Sequence, residues 1–188
     1  MVREATIRRK LVNRAATVAK ASAITMLFIG FSALLTTLLW PSWQSYLVSA
    51  GLCVVGIFEY RGYQQLRRAN AKAARNLGLN QLALLAIIIL YCAAQMATFS
   101  SQSFKNAAVS PEFRSQLSAL PDMQKDIDKK IDEWAPLITY GFYGLVIVLS
   151  FFFQGGMAAY YFTRRKHVEN FNRQTPQWIK RLLVETNA

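Results

Sequence analysis

Few residues of this chain are of a type that could take part in catalysis, and they lie far apart along the sequence. Glu59 ends a long charge-free run, and His167, the only histidine, lies within the basic run 164–167. A carboxylate and an imidazole acting together would provide general acid–base catalysis, as in a lipid-modifying enzyme. The sequence contains no G-x-S-x-G nucleophile motif and no second acid close to Glu59 along the chain. We therefore predict no catalytic residues and no enzymatic activity.

Metal and redox chemistry also lack the required residue patterns. Cys53 and Cys92 fall inside apolar runs, and the chain has no CxxC motif and no cluster of His and Cys. Their predicted heights in a membrane differ by roughly 10 Å, which is too far for a disulfide. The acidic run 126–133 lacks the spacing and the turn glycine of a calcium-binding EF-hand loop. We predict no metal and no cofactor, and a solvated helix face for the acidic run.

The elements that position these residues are dominated by three runs without Asp, Glu, Lys or Arg: 21–58, 76–104 and 134–163. A helix needs about 20 apolar residues to cross a bilayer. The first run is too long for one crossing, and Pro41, between two tryptophans, divides it with a tight turn. We predict an all-α polytopic membrane protein, a four-helix transmembrane bundle with flanking amphipathic helices. The membrane domain is 21–163, with spans at about 21–40, 43–60, 78–99 and 136–163.

Basic residues are unevenly distributed among the segments outside these spans. Segment 1–20 has six Lys/Arg and one acid, 61–76 has five and none, and the tail 164–188 has six and two. The loop 100–135 has five Lys/Arg against six acids. Because positive loops stay in the cytoplasm, we predict that both termini and segment 61–76 are cytoplasmic and that 100–135 is extracytoplasmic.

The net charge of +12 has two interpretations, nucleic acid or anionic lipid. No aromatic residues alternate with the basic ones, and no glycine-rich phosphate loop is present, so we predict no nucleic-acid partner. The predicted partner is the bilayer, whose cytoplasmic surface carries anionic headgroups. The predicted headgroup contacts are Arg67, Arg68, Lys72, Arg75, Arg164, Arg165 and Lys166.

Three segments outside the spans have amphipathic patterns, which fit either the membrane surface or a partner protein. In the first, Ile7, Leu11, Ala15 and Val18 form the apolar face, and Arg8, Arg9, Lys10 and Arg14 lie elsewhere. In the tail, Trp178, Ile179, Leu182 and Leu183 form one face, and Lys180 and Arg181 form the other. In loop 100–135 we predict a helix over about 121–134, with an apolar stripe at Leu117, Leu120, Ile127, Ile131 and Trp134.

Polar residues inside the spans are the places where a function would be sought. Gln81 and Gln95 lie on one face of span three, and Gln154 lies on a similar stripe with Tyr140 and Tyr161 in span four. Both stripes are predicted to face the bundle interior, where amides join helices. Glu59 is predicted to be a structural acid. Its expected partners are salt bridges to Arg61 or Arg164 and hydrogen bonds from Asn80 or Gln81.

Three short motifs resemble those of small four-helix membrane proteins of bacteria. They are EYRG at 59–62, LGLNQ at 77–81 and YYFTRRK at 160–166. The resemblance covers the middle and final spans. It implies a location in the bacterial inner (cytoplasmic) membrane, and it supplies no catalytic residues.

Two functions outside catalysis remain. The first is a non-enzymatic structural or accessory component of a membrane assembly, which binds a membrane-protein partner or a second copy of itself. The alternative is a small oligomeric transporter or channel, whose path Gln81, Gln95 and Gln154 would line. Four spans rarely form a transporter alone, and no inverted repeat relates the two halves.

Overall fold

The computed structural model describes residues 2–39, 43–108, 110 and 120–185, and every regular element among them is a helix. The all-α class is therefore confirmed. The helices are α1 Val2–Leu39, α2 Trp43–Arg67, α3 Ala71–Ala97, α4 Ser101–Ala108, α5 Pro121–Gln174 and α6 Gln177–Glu185. Contacts divide the chain into two compact units. Unit 1 is Met1–Leu85 with Phe153–Ala188, and unit 2 is Ala86–Phe152.

Three of the described helices, α1, α3 and α5, are long and apolar enough to cross a membrane. Helix α2 is not among them, and its charge-free part within the described residues is 43–58. That stretch is shorter than the roughly 20 residues of a full crossing. The count of four spans therefore stays a prediction. The turn predicted around Pro41 lies outside the described residues.

Two helices continue across boundaries where the sequence suggested a break. Helix α1 joins segment 1–20 to the first apolar run without interruption, so this segment is not a separate helix. Helix α5 likewise continues through Pro136, the residue expected to open a span. A proline removes one backbone hydrogen bond, and neighbouring groups in long helices often compensate for that loss. The amphipathic part predicted over 121–134 and the apolar run after it are one helix.

Unit 1 has a core made largely of small side chains. On α1 the buried positions follow a spacing of seven, which keeps one face of a helix against its neighbours. The two buried rows are Ala5, Val12 and Ala19, and Arg9, Ala16, Ala23, Gly30 and Thr37. The apolar face expected from Ile7 is wrong in detail, because the Ile7 side chain is 57% exposed. Alanines and Val12, rather than the large apolar residues, pack this helix against α2, α3 and α5.

The basic segment 61–76 is two helix ends joined by a short turn. Helix α2 ends at Arg67, and Ala69 takes the left-handed backbone conformation, with a φ of 56°, that commonly ends a helix. Asn70 then caps α3, since its Oδ1 accepts a hydrogen bond from the Lys72 backbone N–H at 3.0 Å. Four basic side chains of the segment are therefore carried on helices.

The last helix packs against the first. Ile179 of α6 is 2% exposed, and α6 contacts α1. Trp178 and Leu182, expected on the same face as Ile179, are exposed instead. The side chains of Arg181 and Leu183 lie outside the described residues. Helix α6 therefore buries Ile179 within unit 1 and leaves Trp178 at the surface.

In unit 2 the short helix α4 lies against α5. Lys105 of α4 forms an ion pair with Asp132 at 2.7 Å and lies 4.0 Å from Asp128. Of the predicted apolar stripe, Leu120 and Trp134 are exposed, Ile127 and Ile131 are half-buried, and Leu117 lies outside the described residues. Two of the four described positions of this stripe are therefore uncovered.

Candidate functional site

The most distinctive site is a cluster of buried polar side chains around Glu59. The Glu59 side chain is 0% exposed, and its Oε1 accepts a hydrogen bond from Gln81 Nε2. The Ser22 side chain lies close enough to the carboxyl group to interact with it. The Tyr161 ring is fully buried, and its hydroxyl is close enough to interact electrostatically with Glu59. Helices α1, α2, α3 and α5 thus contribute one polar side chain each, and we call these four residues the Glu59 cluster.

The Glu59 cluster contains no ion pair among the described residues. Arg61 is exposed, and the Arg164 guanidinium carbon lies 4.9 Å from the centre of the Tyr160 ring. The predicted salt bridges are therefore not formed. Of the two expected amide donors, Gln81 bonds to Glu59, whereas Asn80 Nδ2 donates to the Val55 backbone oxygen at 3.2 Å.

Three atoms of the Glu59 cluster have no hydrogen-bond partner within the described part of the chain. They are Glu59 Oε2, Gln81 Oε1 and the Tyr161 hydroxyl. Buried polar atoms are normally paired, so each unpaired atom is costly unless water or a proton satisfies it. The cluster can bind one proton or one water molecule, and the Gln81–Glu59 hydrogen bond joins α3 to α2.

Close helix approach positions the Glu59 cluster. A Cβ at Gly62 would meet the Leu77 side chain, and a Cβ at Gly78 would lie 2.8 Å from Cε1 of Phe162. These two glycines let α2, α3 and α5 approach closely next to Glu59 and Gln81. Gly30 does the same between α1 and α2, since its Cβ would lie 2.9 Å from Cys53 Sγ. Cys53 and Cys92 are free thiols.

His167 shares no described contact with Glu59. Its Nδ1 lies 3.4 Å from the Thr163 backbone oxygen, one turn earlier on α5. The carboxylate and the imidazole that acid–base chemistry would need are therefore not brought together in any described interaction.

The other intramembrane amides are less buried than Gln81. Gln95 and Gln154 are both half-buried, while Tyr140, on the stripe with Gln154, is 44% exposed. The two stripes are thus fully enclosed only at Gln81 and Tyr161.

The predicted headgroup contacts are mostly at the surface. The exposed ones are Arg68, Lys72, Arg75, Arg165 and Lys166, and the half-buried ones are Arg67 and Arg164. Arg165 pairs with Glu169 on its own helix at 2.7 Å. The other exposed cations of this set have no ion pair among the described residues, so their charges are available to an anionic surface.

Sequence reasoning missed the role of Arg9, which it placed on the polar face. Arg9 is 3% exposed, and its Nη2 donates to the Arg67 backbone oxygen at 2.6 Å, which caps the end of α2. Its guanidinium carbon lies 5.7 Å from the centre of the Phe171 ring. Burial and, to a smaller extent, the charge of Arg67 lower the pKa of this guanidinium. The missed signal is the seven-residue spacing that aligns Arg9 with Ala16, Ala23 and Gly30.

A second feature that sequence reasoning missed is a row of open glycines on α5. A Cβ at Gly141 or Gly144, both in unit 2, would meet no described atom within 4 Å. At 3.6 residues per turn, these two positions and Val148 fall within about 60° of one another. We call these three residues the glycine face.

Comparison of the chain with protein-family models, with curated proteins and with solved structures finds no match. The resemblance to small bacterial membrane proteins therefore stays a prediction. The function has to be argued from the geometry.

Proposed function

We propose that this chain is a non-enzymatic subunit of a membrane assembly and that the glycine face of α5 is its contact surface. The observation that carries the proposal is that Gly141 and Gly144 share a face of α5 on which a Cβ would meet no described atom within 4 Å. Glycine in the middle of a helix costs about 1 kcal/mol relative to alanine, so two on one face need a compensating use. In membranes that use is close approach to another helix.

The surroundings of the glycine face support this proposal. None of the residues in the most apolar stretch of α5 is buried, whereas 33% of the corresponding stretch of α3 is buried. Val148, on the same face, is 51% exposed. The partner is either a second copy of the chain or another membrane protein. The Glu59 cluster has the complementary role of holding the chain's own helices together.

We further propose a position in the bacterial inner membrane, with four spans and both termini in the cytoplasm. The distribution of Lys and Arg supports this orientation, because segments 1–20, 61–76 and 164–188 are basic and 100–135 is not. The resemblance of residues 59–62, 77–81 and 160–166 supports the bacterial location.

The test is extraction of the tagged protein in mild detergent, with its molar mass measured by light scattering and its partners identified by mass spectrometry. We expect a second copy or one stoichiometric partner. The double variant Gly141→Leu/Gly144→Leu should reduce the assembly to a monomer, and Phe153→Leu, on another face of α5, should leave it intact. A wild-type monomer without a partner would contradict the proposal.

The three unpartnered atoms of the Glu59 cluster favour a second candidate, a transporter or channel, because unpaired polar groups inside a membrane can mark a path. Gln95 and Gln154 would continue that path. If transport occurs, Gln95→Leu and Gln154→Leu should each reduce the flux of a labelled substrate in liposomes. Unchanged flux in both variants would eliminate this candidate.

A further inference from the structure

A groove of about 500 Å³ lies between α2 and α3, on faces that are turned away from the Glu59 cluster. From α2 it is lined by Phe58, Arg61 and Gln65, which are three to four residues apart and therefore share one side of the helix. Glu59 is about 200° around the helix from Arg61, and its carboxyl group bonds to Gln81 instead. The charge of Arg61 therefore faces the groove without a described carboxylate partner.

The lining of the groove changes from polar to apolar in the same direction on both helices. Helices α2 and α3 run in opposite directions from the turn at 68–70. Close to that turn the groove is polar, with Gln65 and Asn76, and farther away it is apolar, with Phe58 and Ala83. A ligand that fits both ends has a polar, anionic head and a hydrocarbon tail.

The polarity change also coincides with the edges of the apolar runs. The first charge-free run ends at 58 and the second begins at 76, so Arg61 lies just outside the hydrocarbon region on the basic side and Asn76 lies at its edge. This is the level at which phospholipid phosphates lie. Asn80, also in the lining, lies deeper and uses its Nδ2 to bond to the Val55 backbone oxygen.

We propose that this groove is a binding site for one anionic phospholipid. The phosphate binds Arg61, with amide hydrogen bonds from Gln65 and Asn76, and the first part of an acyl chain lies along Phe58, Leu79 and Ala83. The site differs from the general attraction of the basic surface, because it depends on one arginine and on an apolar channel. It requires that the chain be embedded in a membrane, but it does not depend on the glycine face or on any assembly.

The experiment is native mass spectrometry of the full-length protein in detergent, titrated with phosphatidylglycerol or with zwitterionic phosphatidylcholine. We expect one phosphatidylglycerol to bind about tenfold more tightly than phosphatidylcholine, because the choline cation next to the phosphate of phosphatidylcholine repels the Arg61 guanidinium. Arg61→Gln should abolish that preference, and Arg61→Lys should keep part of it. The control is Arg14→Gln, which removes an exposed charge from α1 at the same basic end and should leave the preference unchanged.

Two further measurements distinguish a lipid bound in the groove from charge attraction alone and from a site for a free phosphate. Ala83→Trp fills the apolar end at an exposed position, so it should weaken phosphatidylglycerol binding severalfold without changing any charge. Glycerol 1-phosphate, which has the headgroup chemistry without the chains, should not displace the lipid at equal concentration. The proposal is overturned if Arg14→Gln weakens binding as much as Arg61→Gln, if Ala83→Trp has no effect, or if glycerol 1-phosphate competes as well as the lipid.

Discussion

Three glycines of unit 1 and two on α5 in unit 2 perform different tasks with the same residue. In unit 1, Gly30, Gly62 and Gly78 each face a neighbouring helix at a distance that no larger residue would allow. In unit 2, Gly141 and Gly144 face no described atom within 4 Å. The sequence alone therefore does not show whether a glycine in an apolar run lies in a close contact between helices or on an open surface.

Polar side chains differ between the two units in the same way. In unit 1, Glu59, Gln81 and Arg9 are buried, and each has side-chain polar atoms without a hydrogen-bond partner among the described residues. In unit 2 the main polar contact is the Lys105–Asp132 ion pair, whose side chains are 14% and 51% exposed. Unit 1 is therefore expected to respond strongly to single substitutions and unit 2 weakly.

The largest effect is expected where unit 1 is most tightly packed. Gly78→Leu should lower the free energy of unfolding by about 3 kcal/mol, because its side chain would overlap the Phe162 ring. Gly51→Leu is the control, since no described atom lies within 4 Å of a Cβ at that position. The midpoint of unfolding by sodium dodecyl sulfate, followed by circular dichroism, measures both. Equal effects of the two variants would remove the contrast between closed and open glycines.

The Glu59 cluster should give the next largest effect. Gln81→Leu removes the amide donor to a buried carboxyl group and should cost about 2 kcal/mol in the same assay. The double variant Gln81→Leu/Glu59→Met replaces both partners with apolar side chains and should recover most of that loss. Gln102→Leu, at an exposed glutamine on α4, is the control and should change little. Additive costs in the double variant would argue against a coupled buried pair.

Arg9→Met should cost about 1.5 kcal/mol, because the end of α2 loses a charged hydrogen-bond donor. Hydrogen exchange should become faster at the backbone amides around 68–71. The neighbouring Lys10 is exposed, so Lys10→Met should leave both quantities nearly unchanged. If exchange at the turn is the same in the two variants, Arg9 does not cap α2.

The smallest effect is expected in unit 2. Lys105→Met should lower stability by about 0.5 kcal/mol, as is usual for a partly exposed ion pair. Because salt screens such pairs, the difference from wild type should shrink in about 1 M sodium chloride. A cost as large as that of Gln81→Leu would mean that unit 2 depends on its polar contacts as unit 1 does.

The sequence predicts the helical class, membrane-length helices at three of the four expected spans, and a hydrogen bond to Glu59 from one of the two amides Asn80 and Gln81, because apolar runs and an isolated acid leave few alternatives. The sequence-based prediction is wrong for residues 1–20, where the large side chain of Ile7 suggested that its face of the helix is the apolar, buried one. Packing there uses alanines, which contribute little to an amphipathic pattern. Pro136 misleads for another reason. A proline at the start of a helix and one inside a longer helix have the same local sequence signature.

The proposed role of the glycine face can be tested most directly in intact membranes. A photoreactive amino acid in place of Val148 lies on that face, and one in place of Phe153 lies about 140° around α5. We predict that illumination of the first variant gives one discrete cross-linked protein species, a dimer or an adduct with one partner, and that the second variant gives none. Absence of protein cross-links at both positions would mean that lipid covers the glycine face and would contradict the proposed assembly.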